Sequence, residues 1–400
     1  MKKKIAIHQL KPGMYVAGTD RSWLQLPFFR RLIRGDDTVE KLRAAGVAEV
    51  VIDTHKGEDV PSGDPASPVD PFDHPEVLTS ALDAAKSVQG EAVAATARMM
   101  NDAQKGIPLD HQAADTQVGR LLNQLMDDPQ SMLCISVLKN ADEYTFEHCV
   151  NGAILALFVG RNMGLSRTDM LDLGKAALLH DIGKCMVPND IVTKPGRLTD
   201  EEEAVMRTHV DKGLRYLKKS QGLSTTVLDV VAQHHERLNG TGYPRGLKGD
   251  ALSPLSRLCA IIDTYDTMIH ENYYKSTYDP TFVLNDLSPL VGTAFCPDAF
   301  KALADCLGTY PPGTLLMLNT GEMAISYQPD AHNPHRPKIL LLTAVDGSFY
   351  TQPTPASLTD VDPATGTFAR TILTTLSLED SNFNPFDILQ NYALHQKSLE

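Results

Sequence analysis

Five histidines and two aspartates recur along one stretch of this chain in an order that suits metal chemistry. They are His148, His180-Asp181, His209, His234-His235 and Asp263, with Asp266 three residues further on. The steps between successive groups are roughly equal. Each matches one helix plus its turn at ~1.5 Å per residue. Antiparallel helices of that length return one group apiece to a common layer. Neutral imidazoles and carboxylates, with no thiolate, form the donor set of a first-row transition-metal site. The chemistry such a layer supports is metal-assisted hydrolysis.

The elements that must carry these groups are visible in the apolar pattern. Val150, Ala153, Ile154, Leu157 and Phe158 follow helical spacing just after His148. Met170, Leu173 and Ala177 define a stripe whose next position is His180. His209 shares a face with Met206, Gly213 and Tyr216, and His234 follows Val227, Val230 and Val231. Asp263 follows Leu255, Ser256 and Cys259, with Asp266 on the same face. A single histidine on a core stripe is ordinarily a hydrogen-bonded core residue. Several of them on consecutive helices, with two carboxylates, would each cost roughly 2–7 kcal/mol if desolvated without partners. A shared cation site removes that cost for all of them together.

Helix starts agree with this layout. Ser166-x-x-Asp169 and Thr199-x-x-Glu202 read as capping boxes, and Ser253-Pro254 as an N-cap with a first-turn proline. The expected fold is mainly α: a helical bundle over 76–310, with its core at 140–280. A small α+β module over 1–55 and a proline-rich linker over 56–75 precede it. In the module, Lys4–Ile7, Met14–Val16 and Glu49–Asp53 read as strands and Thr38–Ala45 as a helix. Glu76–Lys105 reads as an Ala-rich covering helix. A β-hairpin-containing region and tail occupy 311–400. There Leu315–Leu318 and Met323–Ser326 flank one turn, and Ile339–Val345 and Ser348–Gln352 flank Asp346-Gly347. The pattern assigns nothing after 353.

Composition narrows the function. A net charge of −13 argues against a partner that is a nucleic-acid polymer. The six cysteines form no CxxC pair and read as free buried thiols in a reducing compartment. The apolar stretch after the basic N-terminus stops at Ile7, too short for a signal-peptide core. The longest apolar run, Ala153–Gly160, is far below a membrane span. The expectation is a cytoplasmic protein with no membrane partner.

These motifs resemble the HD-GYP family, a branch of the HD-domain metal phosphohydrolases. The matching pieces are His180-Asp181-Ile182-Gly183-Lys184, Lys194-Pro195-Gly196-x-Leu198, His209 with Gly213, His234-His235-Glu236-Arg237, Gly240-Thr241-Gly242-Tyr243-Pro244, Asp263 and Tyr265-Asp266. Residues 1–55 resemble the uncharacterised module that often precedes such domains, through Gly13-Met14-Tyr15-Val16 and Ser22-Trp23-Leu24.

The resemblance implies a bacterial phosphodiesterase that hydrolyses cyclic di-GMP to the linear dinucleotide, GMP or both. It implies His148, His180, Asp181, His209, His234, His235 and Asp263 as metal ligands, with Asp181 bridging two ions of iron or manganese. A hydroxide shared by ions ~3.5–4 Å apart would attack phosphorus. Lys184 matches the lysine on the scissile phosphate. Tyr243, with Gly242 and Pro244, matches the loop that holds a guanine, and Lys275 matches a further ligand-gripping cation. Asp266 would orient the attacking water or buffer a ligand histidine. Glu236 and Arg237 read as a salt-bridged helix end or as substrate contacts, and Trp23 as core. Protein partners could dock through the N-terminal module or the Gly-Tyr-Pro loop.

Two positions depart from the family pattern. Tyr144 stands where some members carry a glutamate for a third metal, and Asn272 where an arginine is frequent. The alternatives are a cyclic di-GMP sensor with little turnover, and an HD phosphohydrolase for another cyclic nucleotide.

Overall fold

The computed structural model describes residues 2–7, 10–11, 14–19, 33, 36–44, 47, 49–53, 75–137, 144–194, 196–220, 222–274, 280–330, 333–363, 365–376 and 388, without the side chains of 2, 4, 17–19, 36–37, 40, 44, 53, 75–80, 144–145 and 270–274. Lys275, Trp23 and most of the proline-rich segment lie outside the described residues. The chain divides into two compact units, Met1–Asp70 and Pro71–Glu400.

In the first unit, β1 (Lys2–Ala6), β2 (Val16–Thr19) and β3 (Glu49–Asp53) form an antiparallel sheet in the order β1-β3-β2. Helix α1 (Asp36–Ala44) supplies Val39 and Leu42 to a core with Ile5, Val16, Val50 and Ile52. Along β3 the buried residues alternate, Val50 and Ile52, as the two-residue strand period requires. The first two strands are offset by about two residues from Lys4–Ile7 and Met14–Val16, because short edge strands take their limits from pairing with β3.

The second unit is helical, followed by a sheet. Its helices begin with α2 (Pro75–Gln104), α3 (His111–Asp127), α4 (Pro129–Val137), α5 (Tyr144–Asn162) and α6 (Arg167–Leu179). They continue with α7 (Asn189–Val192), α8 (Asp200–Leu217), α9 (Thr225–Gln233), α10 (Pro254–Tyr274), α11 (Pro280–Leu287) and α12 (Pro297–Leu307). One large apolar core joins α2 to α12, with the short α7 outside it. Every residue of α4 from Ser131 to Val137 is buried, so this helix is enclosed on all sides. Helices α5 and α6 pack as an antiparallel pair at the centre of the bundle. Among the described residues no helix is long and apolar enough to cross a membrane.

The helix starts follow the local chemistry. Thr199 and Glu202 complete a reciprocal capping box at α8. Ser166 makes only half of one at α6. Its Oγ accepts from the Asp169 amide and donates to Asp169 Oδ2, so the carboxylate is engaged by the hydroxyl instead of by the backbone. At α10, Ser253 Oγ accepts from the Ser256 amide ahead of Pro254.

After α12 the chain forms β4 (Leu315–Leu318), β5 (Met323–Gln328), β6 (Lys338–Thr343), β7 (Phe349–Ala356) and β8 (Ile372–Thr375). They make one antiparallel sheet in the order β7-β6-β5-β4-β8. Both expected hairpins are present. Strand β8 returns from the far end to pair with β4, a long-range pairing that no local pattern announces. Of the six cysteines, Cys134, Cys149, Cys259 and Cys306 are buried thiols, while Cys185 and Cys296 are half-buried because they sit at loop margins; all six are free.

Candidate metal centre

The ligand groups sit on or at the ends of the central helices. His148 belongs to α5, His209 to α8, and Asp263 and Asp266 to α10. His180 and His234 are the C-caps of α6 and α9, one step beyond the helical stripe that pointed to them. Asp181 opens a short 3-10 turn, Ile182–Met186, that runs against α8. That approach requires glycine: a Cβ on Gly183 would lie 1.9 Å from the His209 carbonyl oxygen and 2.6 Å from the Gly213 amide. Backbone contact at this crossing is what places Asp181 beside His209.

His148, His180, Asp181, His209, His234 and Asp263 are all at most 5% exposed, and His235 has a half-buried ring. Two donor groups emerge: His148, His180 and Asp263, and then Asp181, His209, His234 and His235. The carboxylates tie them together. Asp181 Oδ2 is 3.4 Å from His180 Nε2 and 3.7 Å from His148 Nε2, while its Oδ1 is 3.3 Å from His209 Nε2. Asp263 Oδ1 is 3.1 Å from His148 Nε2 and 3.4 Å from His180 Nε2, while its Oδ2 is 3.5 Å from His235 Nδ1. Each aspartate therefore offers one oxygen to each group. The sequence reading gave that position to Asp181 alone. Cys149 Sγ also lies close to His180 and Asp181, and burial pushes its thiol up to about 12.

Three of the histidines are oriented by one device. Nδ1 of His180, His209 and His234 bonds the backbone oxygen three residues earlier, at Ala177, Met206 and Val231, at 2.8, 2.8 and 2.7 Å. Nδ1–H donates there, so Nε2 faces the centre. His148 differs. Its Nδ1 is 2.6 Å from Asp266 Oδ2, which makes the fully buried Asp266 the partner of a ligand histidine.

The charges do not balance within the protein. Nε2 of His180 and both oxygens of Asp181 are buried without a hydrogen-bond partner; Lys184 Nζ approaches Asp181 Oδ2 at 2.5 Å as an ion pair. His209 Nε2 and His234 Nε2 face each other at 3.4 Å, two acceptor atoms across a gap. Burial lowers the His209, His234 and His235 pKa values, that of His235 to about 3, so these rings are neutral. Burial also opposes charge on His148 and His180, but the carboxylates around them win and hold both above the ordinary histidine value. Burial raises Asp181 and Asp263, yet the lysine and imidazoles beside Asp181, and the imidazoles beside Asp263, bring both well below the usual carboxylate range. Ionised carboxylates, neutral imidazoles and orphaned acceptors around one point fit metal cations.

The Gly-Tyr-Pro loop lies against the second group. The Tyr243 ring is 4.6 Å from the His235 ring, and its amide donates to the His235 carbonyl at 3.2 Å. A Cβ on Gly242 would lie 2.5 Å from the backbone of His235, Glu236 and Arg237, so Gly242 seats the loop. Pro244 is exposed at the loop's tip. Glu236 is buried, and its two oxygens accept from the amides of Arg245 and Leu247 at 2.7 and 2.9 Å. Arg237 donates to the carbonyls of His234 and Glu236 and to Thr264 Oγ1. Neither role is the salt-bridged helix end expected of them. The amides that Glu236 binds lie nine and eleven residues further along, and only the folded loop brings them to it.

Residues 133–294 match the HD domain family, and residues 2–114 match a domain of unknown function. A cyclic di-GMP phosphodiesterase of Pseudomonas aeruginosa is 33% identical over 85% of this chain and 84% of its own length. This chain is a member of the HD-GYP family. Other relatives match over shorter spans. A cyclic di-GMP phosphodiesterase of Thermotoga maritima is 31% identical over 42% of the chain and 47% of its own length. A 3'3'-cGAMP-specific phosphodiesterase of Vibrio cholerae is 34% identical over 42% of the chain and 36% of its own length.

Proposed function

We propose that this HD-GYP protein is a metal-dependent phosphodiesterase that hydrolyses cyclic di-GMP. Two ions, iron or manganese, would be held by His148, His180 and Asp263 on one side and by Asp181, His209, His234 and His235 on the other. The single observation that carries this reading is that Asp181 and Asp263 each present one oxygen to each histidine group. Hard carboxylate with imidazole suits iron and manganese better than thiophilic ions. Bound there, the ions supply Lewis acidity and an activated water for attack on phosphorus.

The chain's own residues do the rest. Lys184, one fifth exposed beside Asp181, presents an ammonium to the non-bridging oxygens of the scissile phosphate. Asp266 fixes the His148 ring, which favours the orienting role over direct contact with water. Glu236 holds the loop carrying Gly242, Tyr243 and Pro244 against the centre. Tyr243 borders the ligand cleft, with Lys275 as a further gripping cation from the sequence reading. The site asks for a phosphodiester anion with flanking bases, and its product is the linear dinucleotide, GMP or both.

The experiment is turnover of cyclic di-GMP by anaerobically purified protein loaded with iron or manganese, with 3'3'-cGAMP in parallel. The expected result is linear product, lost on chelation and restored by metal. Metal-loaded protein that binds cyclic di-GMP and releases no product would instead be a sensor. Faster turnover of 3'3'-cGAMP would move the substrate assignment to that relative's specificity.

A further inference from the structure

A cyclic dinucleotide carries two phosphodiesters on one ring. The metal centre and Lys184 engage the one being cleaved. The other remains an anion at the mouth of a protein whose net charge is −13, and needs a cation of its own. Two cations whose charge acts on Tyr243 are Lys184 and Arg207. Lys184 is committed to Asp181. Arg207 lies on α8, two residues before the ligand His209, with its guanidinium 4.9 Å from the Tyr243 ring centroid. Tyr243 in turn contacts the ligand His235. One unbroken line of contacts therefore runs from the metal centre to this exposed guanidinium.

The way Arg207 is held suits a group that changes partner. Its Nε and Nη2 both bond to a single oxygen of Glu203, one helical turn earlier. The two-oxygen geometry that makes an arginine–carboxylate pair strong is not used. Both side chains are about half exposed, so the pair is easily exchanged. The guanidinium packs on the Tyr243 ring, and Glu236 holds the loop that carries this ring through the loop amides. A phosphodiester offers the planar fork two oxygens at once, which Glu203 does not.

Resting on the phosphodiesterase reading above, we propose that Arg207 clamps the phosphodiester that is not cleaved, and so selects cyclic dinucleotides over diesters bearing a single phosphate. Its role is binding and selection; the reacting phosphorus is served by the metal centre and Lys184.

The test is steady-state kinetics of the manganese-loaded full chain on cyclic di-GMP and on bis(p-nitrophenyl) phosphate, which has one phosphate only. Arg207→Ala should raise KM for cyclic di-GMP about tenfold, as loss of a charge-assisted contact does, with kcat within about twofold. The ratio of kcat/KM between the two substrates should fall about tenfold. Arg207→Lys should recover part of that ratio, since charge returns without the fork. An unchanged KM in Arg207→Ala overturns the proposal. So does a parallel loss on both substrates, which marks a structural role. Wild-type protein inactive on both substrates defeats the phosphodiesterase reading and the clamp with it; active wild type with an indistinguishable Arg207→Ala defeats the clamp alone.

Discussion

Two buried acidic sites in this molecule solve the same problem in opposite ways. In the C-terminal sheet, Glu322 is 2% exposed and meets Arg370 in a two-point contact at 2.7 and 3.0 Å, with Thr320 donating as well. Its charge is matched by protein groups. In the helical bundle, Asp181 and Asp263 are as deeply buried, but imidazole nitrogens and, at Asp181, the Lys184 ammonium face their oxygens, and both Asp181 oxygens lack hydrogen bonds. The first arrangement is complete by itself. The second becomes complete only with cations between its groups. A buried carboxylate thus reports structure when its partners are present and function when they are missing.

The largest test of that contrast removes a ligand. Asp181→Ala or His180→Ala should abolish bound metal and lower the rate by more than about a hundredfold, since loss of an outer partner alone costs 10–100-fold. Helix content, read by far-ultraviolet circular dichroism, should stay. Full metal content and full rate in either variant would remove the ligand assignment.

The next test moves one shell outward. Asp266→Asn keeps the shape beside His148 but removes the charge. Metal affinity, measured by competition with a chelator, should weaken about 10–100-fold while the fold stays intact. Glu236→Gln tests the loop instead. An amide oxygen cannot accept from both Arg245 and Leu247 as the carboxylate does, so KM for cyclic di-GMP should rise about tenfold with metal content unchanged. Lost metal in that variant would show that Glu236 serves the ligand pair and not the loop.

The smallest effect belongs to the complete site. Glu322→Gln should destabilise the protein by about 1–3 kcal/mol and leave metal and rate unaltered. The pH dependence has a definite sign. The hydrogen bonds from Arg370 outweigh burial and hold Glu322 below the ordinary glutamate value. Its contribution is therefore fully present above the unfolded carboxyl value of about 4.3, and is lost as pH falls through the lower folded value. Denaturant melts of wild type and Glu322→Gln should diverge above that window and converge below it.

Much of this contrast was legible before folding, but unevenly. The ligands announced themselves because helical periodicity is local: Met170, Leu173 and Ala177 point to His180 within three turns. Fold class was readable for the same reason, as were the hairpin at Asp346-Gly347 and the capping box at Thr199. What sequence hides is the partner across space. The second oxygen of Asp263 reaches His235 from another helix. Glu236 bonds amides up to eleven residues away, through a loop whose path depends on Gly242 lying flat on the backbone beneath it. Strand β8 pairs with β4 across more than fifty residues, and Glu322 meets Arg370 across the same connection. The bonds from His180, His209 and His234 to carbonyls three residues earlier are hidden too, because every helical residue has such a carbonyl and only the ring's orientation uses it.

The most direct measurement is elemental analysis of protein purified without oxygen, set beside the same analysis of Asp181→Ala. Two transition-metal ions per wild-type chain, with both lost when the shared carboxylate goes, is the result expected. A fully active wild type carrying no such ion, or a variant that retains both, would contradict the central claim.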